Sequence, residues 1–449
     1  MKRSKLFHAL AVLLVLCTLC SCGQEATRKP NKKPIEELYD PPVTADTLPI
    51  VRISTYDGEE IPLEKESVNC RVSLESKDTS LCKDNLLATI RCRGNGSMTV
   101  GKRTGKYPYK LKFNQRINLF GAGDGEAKDW VLLANVGDQT MLRNYAAKLL
   151  GEKLDGIDYS PNVIHVSVYL NDEYIGVYEL TEQIEAKDYR VPINDGFTGN
   201  KNGFLVELDA YAKKENEEDD INFMVGESYY TVKSNVYNDA QKNYIQQYIS
   251  LVDSAITLGD QMVLANLVDM DSLVDMYILQ EFSKNIDVGY SSFYMYREID
   301  GKLHFGPPWD FDLAFGNDAR LDNGSYEDLY VGVGREDFRQ NHLWYISLCQ
   351  NEWFMDLVRA RWQEVSDTVI TEVIEDVRAL AALLEVDMGY NYTRWEFFGK
   401  KQQQEPEAII ALTTYKEHAD YLVKWMEDRK AWLDGEFAKA KEATELTIE

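Results

Sequence analysis

KNIDVGYSSFYMYREIDGKLHFGPPWDFDLAFGN, running from Lys284 to Asn317, is the stretch from which the fold is read. Its middle, SSFYMYREIDGKLHFG, predicts a β-hairpin: two apolar-alternating runs joined by an Ile-Asp-Gly turn. Asp287 stands just before the hairpin, and Asp310 and Asp312 follow it in WDFD. A hairpin returns its two ends to one place, so these carboxylates are expected within about 10 Å, two to three strand spacings. Like charges at that range raise one another's pKa or require a cation. Three uses fit such a set. The aspartates are turn residues or helix caps, oxygen ligands of a hard divalent cation that carries phosphates, or a glycosidase pair.

Upstream, LATIRCRGNGSMTVGKRTGKYPYKLKF predicts a strand, a loop with Gly94, Asn95, Gly96 and Ser97, and a second strand. A glycine-bearing turn exposes backbone N–H groups and lets a phosphate approach closely. In the second strand Tyr109, Leu111 and Phe113 alternate with Lys110 and Lys112, so both lysines leave from one face. QTMLRNYAAKLLGEKL is a helix by its apolar spacing, capped by Asp138 and ended by Gly156. VIHVSVYLNDEYIGVYELTEQI is a hairpin around Asn-Asp, and Phe204 to Asp209 is a further strand. Helices are expected over 236–258 and 271–284, a mobile insert near the cleft over 318–341, and amphipathic helices over 343–385 and 405–441. Trp353, Trp362, Trp395, Trp425 and Trp432 fall in or beside these last helices and are assigned to the core. The fold class is α+β.

The first 22 residues stand apart. Lys2, Arg3 and Lys5 precede an apolar run, Ala9 to Leu19, too short to span a bilayer. It ends in Leu-Cys-Ser-Cys-Gly, which resembles a bacterial lipobox and is read as making Cys22 the lipidated first residue, in preference to ordinary secretion with cleavage nearby. Residues 23–48, rich in Pro, Lys, Glu and Thr without periodicity, form a flexible tether. Residues 49–87 are expected to be an N-terminal β element or small β-domain that packs on the main domain over 88–441. The formal charge of −25 becomes −28 once the three basic leader residues leave, which excludes nucleic acid as a partner and suits a secreted protein or one with basic partners. Cys70, Cys82, Cys92 and Cys349 show no C-x-x-C spacing; Cys70 and Cys82 close a hairpin disulfide, or the four are buried thiols.

RGNGS (Arg93 to Ser97), YPYKLKF (Tyr107 to Phe113), DWVLLANVGDQTMLRNYAAKLL (Asp129 to Leu150), VYLNDEYIGVYELTEQI (Val168 to Ile184), FLVELD (Phe204 to Asp209) and PPWDFDLAFGN (Pro307 to Asn317) together resemble the CotH family of spore-coat-type kinases. They occur in the family's order over roughly residues 90 to 440. The resemblance implies an atypical protein-kinase-like two-lobed fold with a helical C-terminal region. It implies an extracytoplasmic kinase that moves the γ-phosphate of ATP, with Mg²⁺ or Mn²⁺, to Ser or Thr of a protein acceptor, here a basic, Ser-rich one. Asp310 then corresponds to the metal-binding Asp, with Asp312 and Ser292 as its neighbours, and Asp287 to the base-like Asp that orients the acceptor hydroxyl. Lys112, ahead of Lys110, takes the phosphate-holding lysine's place, with Gly94, Gly96 and Ser97 as the phosphate loop. Glu182 and Gln183 lie at the hinge position, and Trp309 lies against the nucleotide. Arg143 and Asn144 resemble paired polar residues of the family that face the cleft, unless Arg143 satisfies a buried carboxylate. The chain departs from the pattern at Ser292, where many relatives carry Asn, and it has neither H-R-D nor G-x-G-x-x-G. A hydroxyl is the weaker ligand, which puts a second metal in question. Two other classes stay open: a catalytically silent surface adhesin of the same fold, and a glycan-processing enzyme.

Cys22→Ala is expected to move the protein from the membrane to the soluble fraction and abolish lipid labelling. A variant that still sediments with membranes without label refutes the lipoprotein assignment.

Overall fold

The computed structural model describes residues 47–121, 125–197, 199–213, 221–335 and 341–445. The leader, Cys22 and the tether as far as residue 46 lie outside the described residues.

Seven strands form a closed barrel: β1 (Ile50–Thr55), β2 (Val68–Glu75), β3 (Lys83–Cys92), β4 (Tyr109–Ile117), β5 (Ala127–Leu133), β6 (Val163–Leu170) and β7 (Glu173–Glu182). Their order is β1-β2-β3-β4-β5-β7-β6, antiparallel except at the closure, where β1 runs parallel to β6 with Ile50 beside Ser167. Alternation drives it: Val51, Ile53, Cys70, Val72, Ile90, Leu111, Phe113, Trp130, Leu132, Val166 and Leu180 share one buried core. The boundary expected at residue 87 therefore falls inside β3. The strands before it are staves of the barrel, because their apolar faces are covered only by the strands that follow. The hairpin around Asn171-Asp172 forms as the sequence predicts, both residues having positive φ (50° and 65°).

A second sheet has the order β12-β11-β8-β10-β9, built from β8 (Phe204–Leu208), β9 (Ile221–Val225), β10 (Ser228–Val232), β11 (Phe293–Arg297) and β12 (Leu303–Phe305). The central hairpin pairs Met295 with Phe305 and Arg297 with Leu303. The helices are α1 (Gly96–Thr104), α2 (Arg143–Lys153), α3 (Asp239–Thr257), α4 (Gln261–Leu267), α5 (Met270–Ser283), α6 (Leu343–Leu348), α7 (Glu352–Val365), α8 (Thr371–Arg394), α9 (Glu407–Ile410) and α10 (Tyr415–Glu445). A π turn, Ser366–Ile370, joins α7 to α8. Helices and second sheet share one large core that includes Trp362 and Trp425, with Trp353 and Trp432 packed against it, while Trp395 plugs the barrel. None of the described helices is long and apolar enough to cross a membrane. All four described cysteines are unpaired, so the Cys70–Cys82 bridge does not form.

α5 carries the chain toward Asp287 and is buried along nearly its whole length. Its Glu281, fully shielded, meets the guanidinium of Arg429 on α10 at 2.6 Å. The same carboxylate accepts from the backbone N–H of Tyr330 and Val331, both at 2.8 Å. Arg429 also donates to the carbonyls of Tyr326 and Asp328. Removing one partner leaves the other as an uncompensated buried charge. Arg429→Leu is thus expected to destabilise the protein by about 3–5 kcal/mol in denaturant unfolding; a loss under about 1 kcal/mol would show the pair is not what holds α10 in place.

Candidate functional site

A cleft of about 1130 Å³ opens where the barrel's outer face meets the second sheet. It exceeds the usual 300–1,000 Å³ of small-molecule pockets, leaving room for more than one reactant.

On the barrel side, β3 and β4 contribute Arg91, Arg93, Lys110 and Lys112. Lys110 pairs with Asp129 of β5 at 2.8 Å. Between the strands, Gly94 takes a φ of +85°, and a Cβ there would fall 2.1 Å from the Ser97 hydroxyl oxygen, so only glycine fits. Gly96 and Ser97 begin α1, where a loop and strand were expected. The signals for this helix were present in the sequence: Lys102 and Arg103 in its last turn and Gly105 in the left-handed cap. The turn thus presents a helix N-terminus to the cleft.

On the other side stand Asp287, Ser292, Asp310 and Asp312. The hairpin brings both ends back as its pattern requires. Burial, and next the charge of Asp310, push Asp287 up to about 7. Burial and the charges of Asp310 and Asp287 hold Asp312 well above the usual carboxylate range. The Ser292 hydroxyl donates to Asp310 at 3.4 Å, and both residues sit at positive φ, 61° and 68°. Two non-glycine residues held there side by side mark a backbone over-determined by its surroundings. Asn144 of α2 fixes this loop by accepting from the Phe311 N–H at 2.6 Å, and Asn317 donates to the Asp312 carbonyl at 2.7 Å. Arg143 instead satisfies Asp138 and the Ala314 carbonyl, away from the cleft. Asp138 accepts from the Arg143 N–H, so α2 starts there, four residues later than its sequence pattern suggests.

The structure separates the paired candidates at the end of β7. Gln183 lines the cleft, with Ile184 and Glu185. Glu182 is 3% exposed and turned away, accepting from the Asn162 N–H and the Tyr159 hydroxyl. Trp309 is 6% exposed and floors the cleft, with the Lys148 ammonium 4.8 Å and the Arg93 guanidinium 5.7 Å from the ring centroid. Its ring faces cations, which leaves little surface for a stacked base. Lys148, Arg91, Arg93 and Glu207 were not singled out from sequence. Arg91, Arg93 and Glu207 reach the cleft through register across strands and Lys148 reaches Trp309 from α2, placements that a linear pattern does not reveal.

Among the described residues no three His, Cys, Asp or Glu side chains are close enough to hold a metal ion by themselves. A Mg²⁺ that travels with a nucleotide needs only one or two carboxylates, the rest of its shell being phosphate and water. Asp312, whose proton affinity burial and the neighbouring Asp310 charge raise, and Asp310 beside it are a donor set of that kind.

In the ligand-free protein this crowding opposes the charged state. The raised pKa of Asp287 means its stabilisation is complete below about pH 3.8 and lost as pH rises to about 7. Asp287→Asn is expected to stabilise the ligand-free protein by about 2 kcal/mol at pH 8, a gain that shrinks by roughly half at pH 5. Denaturant titrations at both pH values check this, and a pH-independent difference would contradict it.

The family model described as CotH kinase protein matches residues 90–433 of the chain. No curated protein matches it.

Proposed function

The chain belongs to the CotH kinase family, and from that premise we propose that it is an extracytoplasmic, lipid-anchored protein kinase. The barrel and the sheet-and-helix body act as the two lobes of an atypical kinase-like fold. The reading is carried by one observation: cations of β3 and β4 face the crowded carboxylates of the central hairpin across a single cleft.

In this reading the phosphates of ATP lie along the glycine turn at Gly94, Gly96 and Ser97, with Lys112 and Lys110 as their counter-charges. Lys110, already paired with Asp129, is the less available of the two. Asp310 and Asp312 would hold Mg²⁺ or Mn²⁺, which would supply positive charge to offset that of the phosphates. Asp287, which lines the same cleft, orients a Ser or Thr hydroxyl of the acceptor. As the O–P bond to the acceptor forms, the bond from the γ-phosphorus to the bridging oxygen breaks and the electron pair leaves on ADP. The hydroxyl proton passes to the Asp287 carboxylate. Positioning and charge neutralisation supply most of the rate in this chemistry. The acidic surface, −25 over the whole chain, favours a basic, Ser-rich acceptor and repels nucleic acid.

The two aspartates should separate under mutation. Asp310→Ala is expected to abolish metal-dependent nucleotide binding by calorimetry together with radiolabelled transfer to a basic Ser-rich peptide. Asp287→Ala should keep Mg²⁺-nucleotide affinity and lose roughly a hundred- to ten-thousandfold in turnover. Equal loss of binding in both would mean that one metal site uses both carboxylates. Full activity in Asp287→Ala would remove that residue from the mechanism, and no binding of any metal-nucleotide pair by the unaltered protein would favour the adhesin.

A further inference from the structure

Arg91, Arg93 and Lys112 form a cluster of cations that neighbouring carboxylates leave unpaired. β3 and β4 are antiparallel, with Arg91 opposite Lys110 and Thr89 opposite Lys112; Arg93 follows, its N–H bonded to the Pro108 carbonyl. Like charges directly opposite on adjacent strands are destabilising. In a chain with 74 acidic and 49 basic residues, such a row would ordinarily be neutralised. Lys110 has Asp129, but among the described residues Arg91, Arg93 and Lys112 form no ion pair. Arg93 lines the cleft beside Trp309 and near Asp310. Its guanidinium lies over the Trp309 ring at 5.7 Å, it feels the charges of Asp310 and Glu207, and the glycine turn begins at the next residue.

Resting on the kinase reading above, we propose that Arg93 is a catalytic residue that grips the transferred phosphoryl group, while Arg91 and Lys112 hold the phosphates behind it. Its position between the glycine turn and Asp310 puts it where the γ-phosphate must pass from one to the other. A guanidinium offers two parallel N–H donors to two phosphoryl oxygens. Charge grows on those oxygens and on the leaving bridge as the bond to ADP lengthens, and the nearby Asp287, Asp310 and Asp312 would repel it. Arg93 supplies the positive charge on that path, and the Trp309 face keeps the guanidinium plane from swinging away. Arg91, further from the hairpin, meets the phosphate chain in ground and transition states alike.

The test compares Arg93→Ala, Arg93→Lys and Arg91→Ala in the full chain with Mg²⁺-ATP and a Ser-rich peptide. Arg93→Ala is expected to lower kcat about a thousandfold, within the range for an arginine acting on a phosphoryl transition state, with nucleotide affinity changed less than about tenfold. Added guanidinium ion should restore part of that rate in Arg93→Ala and none in Asp287→Ala, which a purely structural arginine would not show. Arg93→Lys, which keeps the charge and the fold, should still lose about a hundredfold in kcat. Arg91→Ala should raise KM with kcat little changed. Unaltered kcat in Arg93→Ala, or a loss that guanidinium does not relieve while Arg93→Lys is fully active, overturns the assignment and leaves the kinase reading standing. Failure of the unaltered protein to bind Mg²⁺-ATP overturns both.

Discussion

A carboxylate and a guanidinium, both shut away from water, hold together the half of this protein that carries the cleft's aspartates. Glu281 on α5 and Arg429 on α10 have no solvent to fall back on, so each fixes the other. Their remaining bonding capacity goes to the backbone between Tyr326 and Val331. That segment in turn supports the loop ahead of the hairpin: the Tyr330 hydroxyl donates to the Ile286 carbonyl, one residue before Asp287. Lys284 adds bonds to the Ser325 and Glu327 carbonyls. The position of Asp287 is therefore set by a helix that begins about 130 residues later in the chain.

Much of this was legible in the sequence because local pattern and tertiary need agree. The hairpin of β11 and β12, the β6–β7 hairpin, the two helices flanking Gln261–Leu267 and the convergence of Asp287 with Asp310 and Asp312 follow from period-two alternation and turn chemistry. What was not legible has a common cause. That the strands within residues 49–87 are staves of the barrel was not legible, because barrel closure depends on which strand covers which, and that is absent from any one strand. Glu182 and Gln183 are adjacent in sequence but leave β7 on opposite sides, so one is buried among Asn162 and Tyr159 and the other lines the cleft. The cationic row appeared only when Arg91 was found opposite Lys110.

The cleft is an electrostatic exception within an acidic molecule. Its two walls carry opposite charge, and each wall is internally crowded: arginines and lysines on adjacent strands, carboxylates on one loop. Crowding of that kind lowers the stability of the ligand-free protein and raises the benefit of binding something that carries both charges, an anion with its cation. The strained backbone at Ser292 and Asp310 belongs to the same economy, held by Asn144 and Asn317.

The parallel contact of β1 with β6 has a consequence for how the chain reaches this state. β1 is the first strand of the described residues, yet its second neighbour arrives more than a hundred residues later, when Ile50 meets Ser167. Closing so long a loop is slow relative to forming the hairpins along the way. Until β6 arrives, β1 offers an open edge with Ile50, Val51 and Ile53 unshielded. The barrel, and with it the row of cations on its outer face, is completed by a late contact at β1, the first strand of the described residues.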